Sequence, residues 1–136
     1  MGSIRYLLIL LVLAISGCTG DLGYTNIDND ELQQLLEKGT PLYDIRRAEE
    51  WRDTGIVRSS RRLTFFDARG GVNPKFLPEF TKRIGKDDPV ILICRTGNRT
   101  SALAKHLAKE MGYTRVYNVA RGITGWISQG REVSGR

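Results

Sequence analysis

One stretch of this 136-residue chain, Cys94-Arg95-Thr96-Gly97-Asn98-Arg99-Thr100, has side chains that can act together as a nucleophile and an anion-holding loop. A thiolate is the attacking form of cysteine. Positive charge or a helix N-terminus beside it favours that form. Arg95 and Arg99 supply two permanent charges. Gly97, with no Cβ, lets successive N–H groups from Thr96 to Thr100 turn inward as an anion-binding nest. The bland alternative is a buried strand-end cysteine followed by two solvated arginines; the glycine, both arginines and the helix pattern that follows favour the reactive reading. Cys94 is therefore the expected catalytic residue, with Arg95, Thr96, Gly97, Asn98, Arg99 and Thr100 expected to bind substrate.

The flanking pattern says how such a loop is held. Val90, Ile91, Leu92 and Ile93 form a short apolar, β-favouring run after Pro89, the signature of a strand buried on both faces in a parallel sheet. From Thr100 the period changes. Leu103, Ala104, Leu107, Ala108 and Met111 make one apolar stripe at helical spacing. The thiol thus stands between a strand and a helix, where open parallel sheets bind ligands outside the carboxyl ends of their strands.

Upstream, residues 24–27 read as an edge strand, and Asp28 with Glu31 as a capping box opening a helix that carries Leu32, Leu35 and Leu36. Residues 42–45 are the next strand, with Asp44 and Arg46 at its carboxyl end. Asp44 is expected to accept N–H groups of the loop after it, and Arg46 to pair with Glu49 or Glu50. Residues 63–66 are expected to be a strand. Asn73 and Pro74 are expected to start a helix carrying Phe76, Leu77, Phe80 and Ile84, residues 116–119 to form a last strand, and Gly122 to open a helix with Ile123, Trp126 and Ile127. Trp51 and Trp126 read as packing residues, and Arg58, Arg61 and Arg62 as a solvated cluster with an alternative use in attracting anions. Strands alternating with helices, without repeat or linker, specify one α/β domain with a mostly parallel central sheet and helices on both faces.

The run from Cys94 to Trp126, CRTGNRTSALAKHLAKEMGYTRVYNVARGITGW, resembles the active-site half of a single-domain rhodanese, a sulfurtransferase, and LYDIRRAEEW resembles the other signature of that family. The resemblance runs from about Ile27 to Val133. It implies a rhodanese-like fold, a persulfide carried on Cys94, and Asp44 and Arg46 shaping the catalytic end. Two positions depart from the pattern. The histidine usual after the glycine at Gly55 is absent, and Arg121 replaces the first of two glycines before the last helix.

The N-terminus carries a second signal. Residues 6–15 hold no charge, follow Arg5 and end at Ile15-Ser16-Gly17-Cys18. Ten apolar residues span roughly 15 Å as helix, half of a hydrocarbon core near 30 Å. The ending resembles a bacterial lipobox. It implies a signal peptide over 1–17, lipidation of Cys18, a tether over 18–24 and the domain over 25–134, lipid-anchored at a membrane of the bacterial cell envelope on its extracytoplasmic side. Acylation of Cys18 would leave Cys94 as the only thiol. Loss of residues 1–17 takes the net charge from +6 to +5, with 20 basic against 15 acidic residues. No basic helix with interleaved aromatics accompanies that excess, so nucleic acid is not an expected partner.

The leading expectation is transfer of sulfane sulfur from a small sulfur-containing anion, thiosulfate or a similar donor, to a thiophilic acceptor. No cofactor is expected, and no metal: His106, the single histidine, lies on the polar face of its helix without a second ligand. A membrane-tethered persulfide carrier or a non-catalytic binding module for an envelope protein partner is the alternative class. Phosphatase or arsenate reductase is remote, because those enzymes place one more residue between cysteine and arginine than the four between Cys94 and Arg99.

Overall fold

The computed structural model describes residues 20–135, so the expected signal peptide and Cys18 lie outside it. Within it, the pattern Asp28 to Glu31 closes as a reciprocal capping box: Glu31 N–H donates to Asp28 Oδ1 at 2.8 Å, and Asp28 N–H to Glu31 Oε2 at 2.9 Å. That starts α1 (Asn29–Glu37) after the edge strand β1 (Thr25–Ile27). The chain continues as β2 (Leu42–Asp44), α2 (Ala48–Thr54), β3 (Arg61–Arg62), α3 (Phe76–Thr81), β4 (Val90–Ile93), α4 (Asn98–Lys109), β5 (Val116–Val119) and α5 (Gly122–Ser128).

All five strands are parallel, in the order β1-β5-β4-β2-β3, with Tyr43 level with Leu92 and Ile91 level with Tyr117. The period of two along β4 divides the core between the faces. Val90, Leu92 and Cys94 join Phe76, Phe80, Leu103 and Leu107 under α3 and α4. Ile91 and Ile93 join Leu32, Ile123 and Trp126 under α1 and α5. Val90, Ile91, Leu92 and Ile93 are fully buried, as a central parallel strand covered on both faces requires. This is the expected α/β architecture, and it sets Cys94 at the carboxyl end of the middle strand.

Two local expectations shift. The regular strand expected at 63–66 is instead β3 at Arg61–Arg62. Beyond it, Leu63 N–H still bonds Asp44 O and Phe65 N–H bonds Ile45 O, both at 3.1 Å. The chain then leaves β2 because Phe65 is drawn into the α3 face and Phe66 bridges back to Val72. That closes a turn in which Asp67 Oδ1 takes the N–H groups of Arg69 and Gly71, each at 2.8 Å. Helix α3 starts at Phe76 rather than Pro74: Asn73 Oδ1 accepts from Lys75 N–H at 3.1 Å in a turn that precedes the helix. Among the described residues, no helix is long and apolar enough to cross a membrane.

Candidate active site

Cys94 lies one residue beyond β4 and is 1% exposed. Its Sγ receives the Gly97 N–H at 3.2 Å and lies 3.3 Å from Thr100 Oγ1. The same hydroxyl sits 3.1 Å from Gly97 O. A hydroxyl has one proton. It donates to the carbonyl when the cysteine is a thiol, and it can turn to the sulfur when the cysteine is a thiolate. Two donors therefore face the sulfur in its reactive form.

The loop gets its shape from a close approach on its far side. Gly97 adopts φ +95°, and a Cβ there would lie 2.3 Å from Ala120 O. Gly122 adopts φ +55°, with a Cβ position 2.4 Å from Arg95 O. At the start of α5, Ile123 N–H bonds Cys94 O at 2.9 Å and Thr124 N–H bonds Arg95 O at 3.1 Å. These N–H groups would otherwise be orphans of the helix's first turn. By taking the loop's carbonyls they turn them away from the sulfur. Gly122 and Ala120 were not among the expected site residues, and the only signal for them is the glycine before an apolar helix. Arg121 folds its side chain back against Gly125.

Asp44 and Arg46 are brought together as a buried pair, 0% and 1% exposed. Arg46 Nε donates to Asp44 Oδ1 at 2.9 Å and Arg46 Nη2 to Oδ2 at 2.7 Å. Its remaining donors reach Thr54 Oγ1 at 2.8 Å and Gly55 O at 2.9 Å. Asp44 also accepts the Arg46 N–H at 3.1 Å. Arg46 thus ties the end of β2 to the end of α2. It does not pair with the carboxylate of Glu49 or Glu50, as the sequence suggests; it meets only the Glu50 carbonyl, at 3.3 Å.

The carboxylate of Glu50 goes to Arg99 instead. Arg99 Nη1 donates to Oε2 at 2.9 Å and Nη2 to Oε1 at 2.6 Å, a two-pronged pair across 49 residues, while Arg47 N–H donates to Oε2 at 3.0 Å. Burial pushes the Glu50 carboxyl up, but the Arg99 hydrogen bonds, the Arg47 N–H and both guanidinium charges outweigh it and lower it to about 2. Arg99 is held more firmly protonated than usual, first by its hydrogen bonds to Glu50, against desolvation, and then by the charges of Glu50, Cys94 and Asp44. Arg95, Thr96 and Asn98 are exposed, and Gly97 and Thr100 are buried. Beside the loop, a cleft of about 580 Å³ opens between α2 and α5, lined by Arg46, Arg47, Glu50, Arg95, Ile123 and Ile127 among others. Arg61 and Arg62 are elsewhere, at a separate cleft with Glu79 and Arg83, and their guanidinium groups lie 5.8 Å from the ring centres of Tyr43 and Trp51 respectively.

A thiol at the end of the central strand, facing loop donors and carrying its carbonyls outward, can take up and release a group at sulfur. Known proteins resemble this chain in sequence and fold. Over 50 residues the chain is 40% identical to the thiosulfate sulfurtransferase GlpE of Tolumonas auensis, a match covering 37% of this chain and 46% of that protein. The crystal structure of Rv0390 from M. tuberculosis superposes with a TM-score of 0.67 at 30% identity, covering 81% of this chain and 96% of that one. The fold is also that of the polysulfide-sulfur transferase of Wolinella succinogenes, with a TM-score of 0.66 at 22% identity over 84% of this chain and 80% of that one. Residues 28–129, from the capping box of α1 to the end of α5, match the rhodanese-like domain, and the chain belongs to that family.

Proposed function

We propose that this protein is a sulfurtransferase that takes sulfane sulfur from thiosulfate or a similar donor onto Cys94 as a persulfide and passes it to a thiophilic acceptor. The observation that carries this reading is the Cys94 sulfur held 3.2 Å from the Gly97 N–H and 3.3 Å from the Thr100 hydroxyl, at the carboxyl end of the middle strand. In the first step the Cys94 thiolate attacks the outer sulfur of the donor. A new S–S bond forms, the donor's own S–S bond breaks, and sulfite departs with the electron pair when the donor is thiosulfate. In the second step the acceptor attacks the outer sulfur of the persulfide, and the Cys94 thiolate is the leaving group. The transferred sulfur sits about 2 Å beyond Sγ, which carries it from a buried position toward the mouth of the loop. The first turn of α4 begins beside the loop at Asn98, and its N–H groups, without partners inside the helix, would favour negative charge developing there.

The similarity to GlpE supports this chemistry, and the lipobox-like Ile15-Ser16-Gly17-Cys18 supports a lipid anchor that holds the domain at the envelope membrane. A soluble form starting at Thr19 isolates the chemistry from the anchor. Incubated with thiosulfate, it should gain the mass of one sulfur on Cys94, and with cyanide added it should form thiocyanate. Cys94→Ser should do neither, because its hydroxyl is not ionised at neutral pH. Full activity in Cys94→Ser would overturn the proposal.

A further inference from the structure

The cleft that borders the Cys94 loop is charge-balanced, although arginine dominates its sequence. Arg46 is paired with Asp44, Arg47 with Glu49 at 2.5 Å, and Arg99 with Glu50 at 2.6 Å. The remaining lining charges, Arg95 and Asp53, are of opposite sign. Without Glu50, which lines the cleft, the Arg99 guanidinium bonded to it would be left uncompensated at the cleft's edge, and the site would favour a dianion such as thiosulfate. The cleft, about 580 Å³, is also larger than a small inorganic anion needs. Ile123 and Ile127 give it an apolar wall.

We propose that Glu50 is a specificity-determining residue, which by cancelling Arg99 suits the site to a sulfane donor with an organic body and at most one negative charge, an alkyl persulfide, over thiosulfate. This rests on the sulfurtransferase reading of Cys94 and deepens it. The Cys94 thiolate attacks the outer sulfur of R–S–SH. The Sγ–S bond forms and the donor's S–S bond to that sulfur breaks. The organic thiolate leaves with the electron pair, and the proton stays on the transferred sulfur. No oxidant or reductant is needed. The apolar wall takes R, and no second cation is required to hold a sulfonate.

The test compares two donors, thiosulfate and the persulfide of 2-mercaptoethanol, by kcat/KM for loading Cys94, with the Cys94 persulfide read by mass spectrometry. The wild-type protein should prefer the alkyl persulfide. Glu50→Gln keeps the size of the side chain and frees the Arg99 charge, so the ratio should move toward thiosulfate by about tenfold, an effect reduced by added salt. Arg99→Gln leaves Glu50 uncompensated and should move the ratio the other way, which keeps the test decisive if either variant folds poorly. Equal losses with both donors in both variants would show that the pair only holds the loop, and would overturn the proposal. A wild-type preference for thiosulfate would do the same while leaving sulfur transfer intact. Absence of a Cys94 persulfide from either donor would instead remove the sulfurtransferase reading, and this one with it.

Discussion

In the proposed reaction the burial of Cys94 is compatible with transfer to an acceptor because the carried sulfur would project about 2 Å beyond Sγ. That places tight demands on its neighbours. Gly97 meets them through a left-handed conformation and a separation from Ala120 O that no side chain fits. Gly97→Ala should cost about 2–4 kcal/mol from the positive φ and the clash together, measured by urea unfolding, and should impair sulfur loading even where the variant folds. Glu50 sets the acid limit of the loop. Its folded carboxyl titrates at about 2, below its ordinary 4.5, so its stabilising contribution is present above pH 4.5 and is lost as pH falls through 2. The pair retains some contact with water, Arg99 being 23% and Glu50 16% exposed, so the loss should be on the order of 2 kcal/mol, less than the full shift implies. Unfolding measured across that range should show the loss in the wild-type protein and not in Glu50→Gln.

At the scale of elements, the site is a junction of α2, α4 and α5 around the ends of β2 and β4. Helix α5 contributes by donating its first N–H groups to the loop's carbonyls, and α2 through the carboxylate of Glu50 and through its C-terminal end, which the buried Arg46 ties to β2. The Asp44–Arg46 pair is worth more as a joint than as an attraction, because the cost of desolvating two charges offsets most of their mutual pull. Breaking it is another matter. Arg46→Met would leave Asp44 buried without its cation and should destabilise the domain by about 3–5 kcal/mol. Asp44→Asn combined with Arg46→Met should recover part of that loss, because no charge is then stranded. Chemical denaturation of the single and double variants checks both statements.

For the molecule as a whole, the strand order sets the first described strand and the arginine cluster on opposite sheet edges. β1 is at one edge and β3, with Arg61 and Arg62, at the other, four strand spacings or about 19 Å apart. Cys94 lies between them, at the end of β4. A lipid on Cys18 would therefore hold the β1 edge nearest the membrane and leave the loop of Cys94 to one side of the anchor. Cys18→Ala should move the protein from the membrane fraction to the soluble fraction of the cell envelope. Retention of the variant on membranes after a high-salt wash would show that an uncleaved apolar segment or a protein partner holds it instead.

What the sequence by itself determined is the part encoded over short distances. The continuous apolar run Val90, Ile91, Leu92 and Ile93, the helical stripe from Leu103 to Met111, the capping box of Asp28 and Glu31, and the cysteine in its glycine–arginine loop all follow from neighbours within a turn or a strand. The strand at 63–66 was misplaced because its pairing depends on where β2 ends and on the pull of Phe65 toward α3, neither of which is local. The tertiary structure alone decided the destinations of the arginines. A guanidinium can reach several carboxylates, and only packing α2 beside the start of α4 assigns Glu50 to Arg99 and leaves Arg46 to Asp44. The same holds for the contact of Gly97 with Ala120 and of Gly122 with Arg95, which join residues more than twenty positions apart. Sequence spacing names the residues able to carry charge; their distances across the fold determine which of those charges remain available to a substrate.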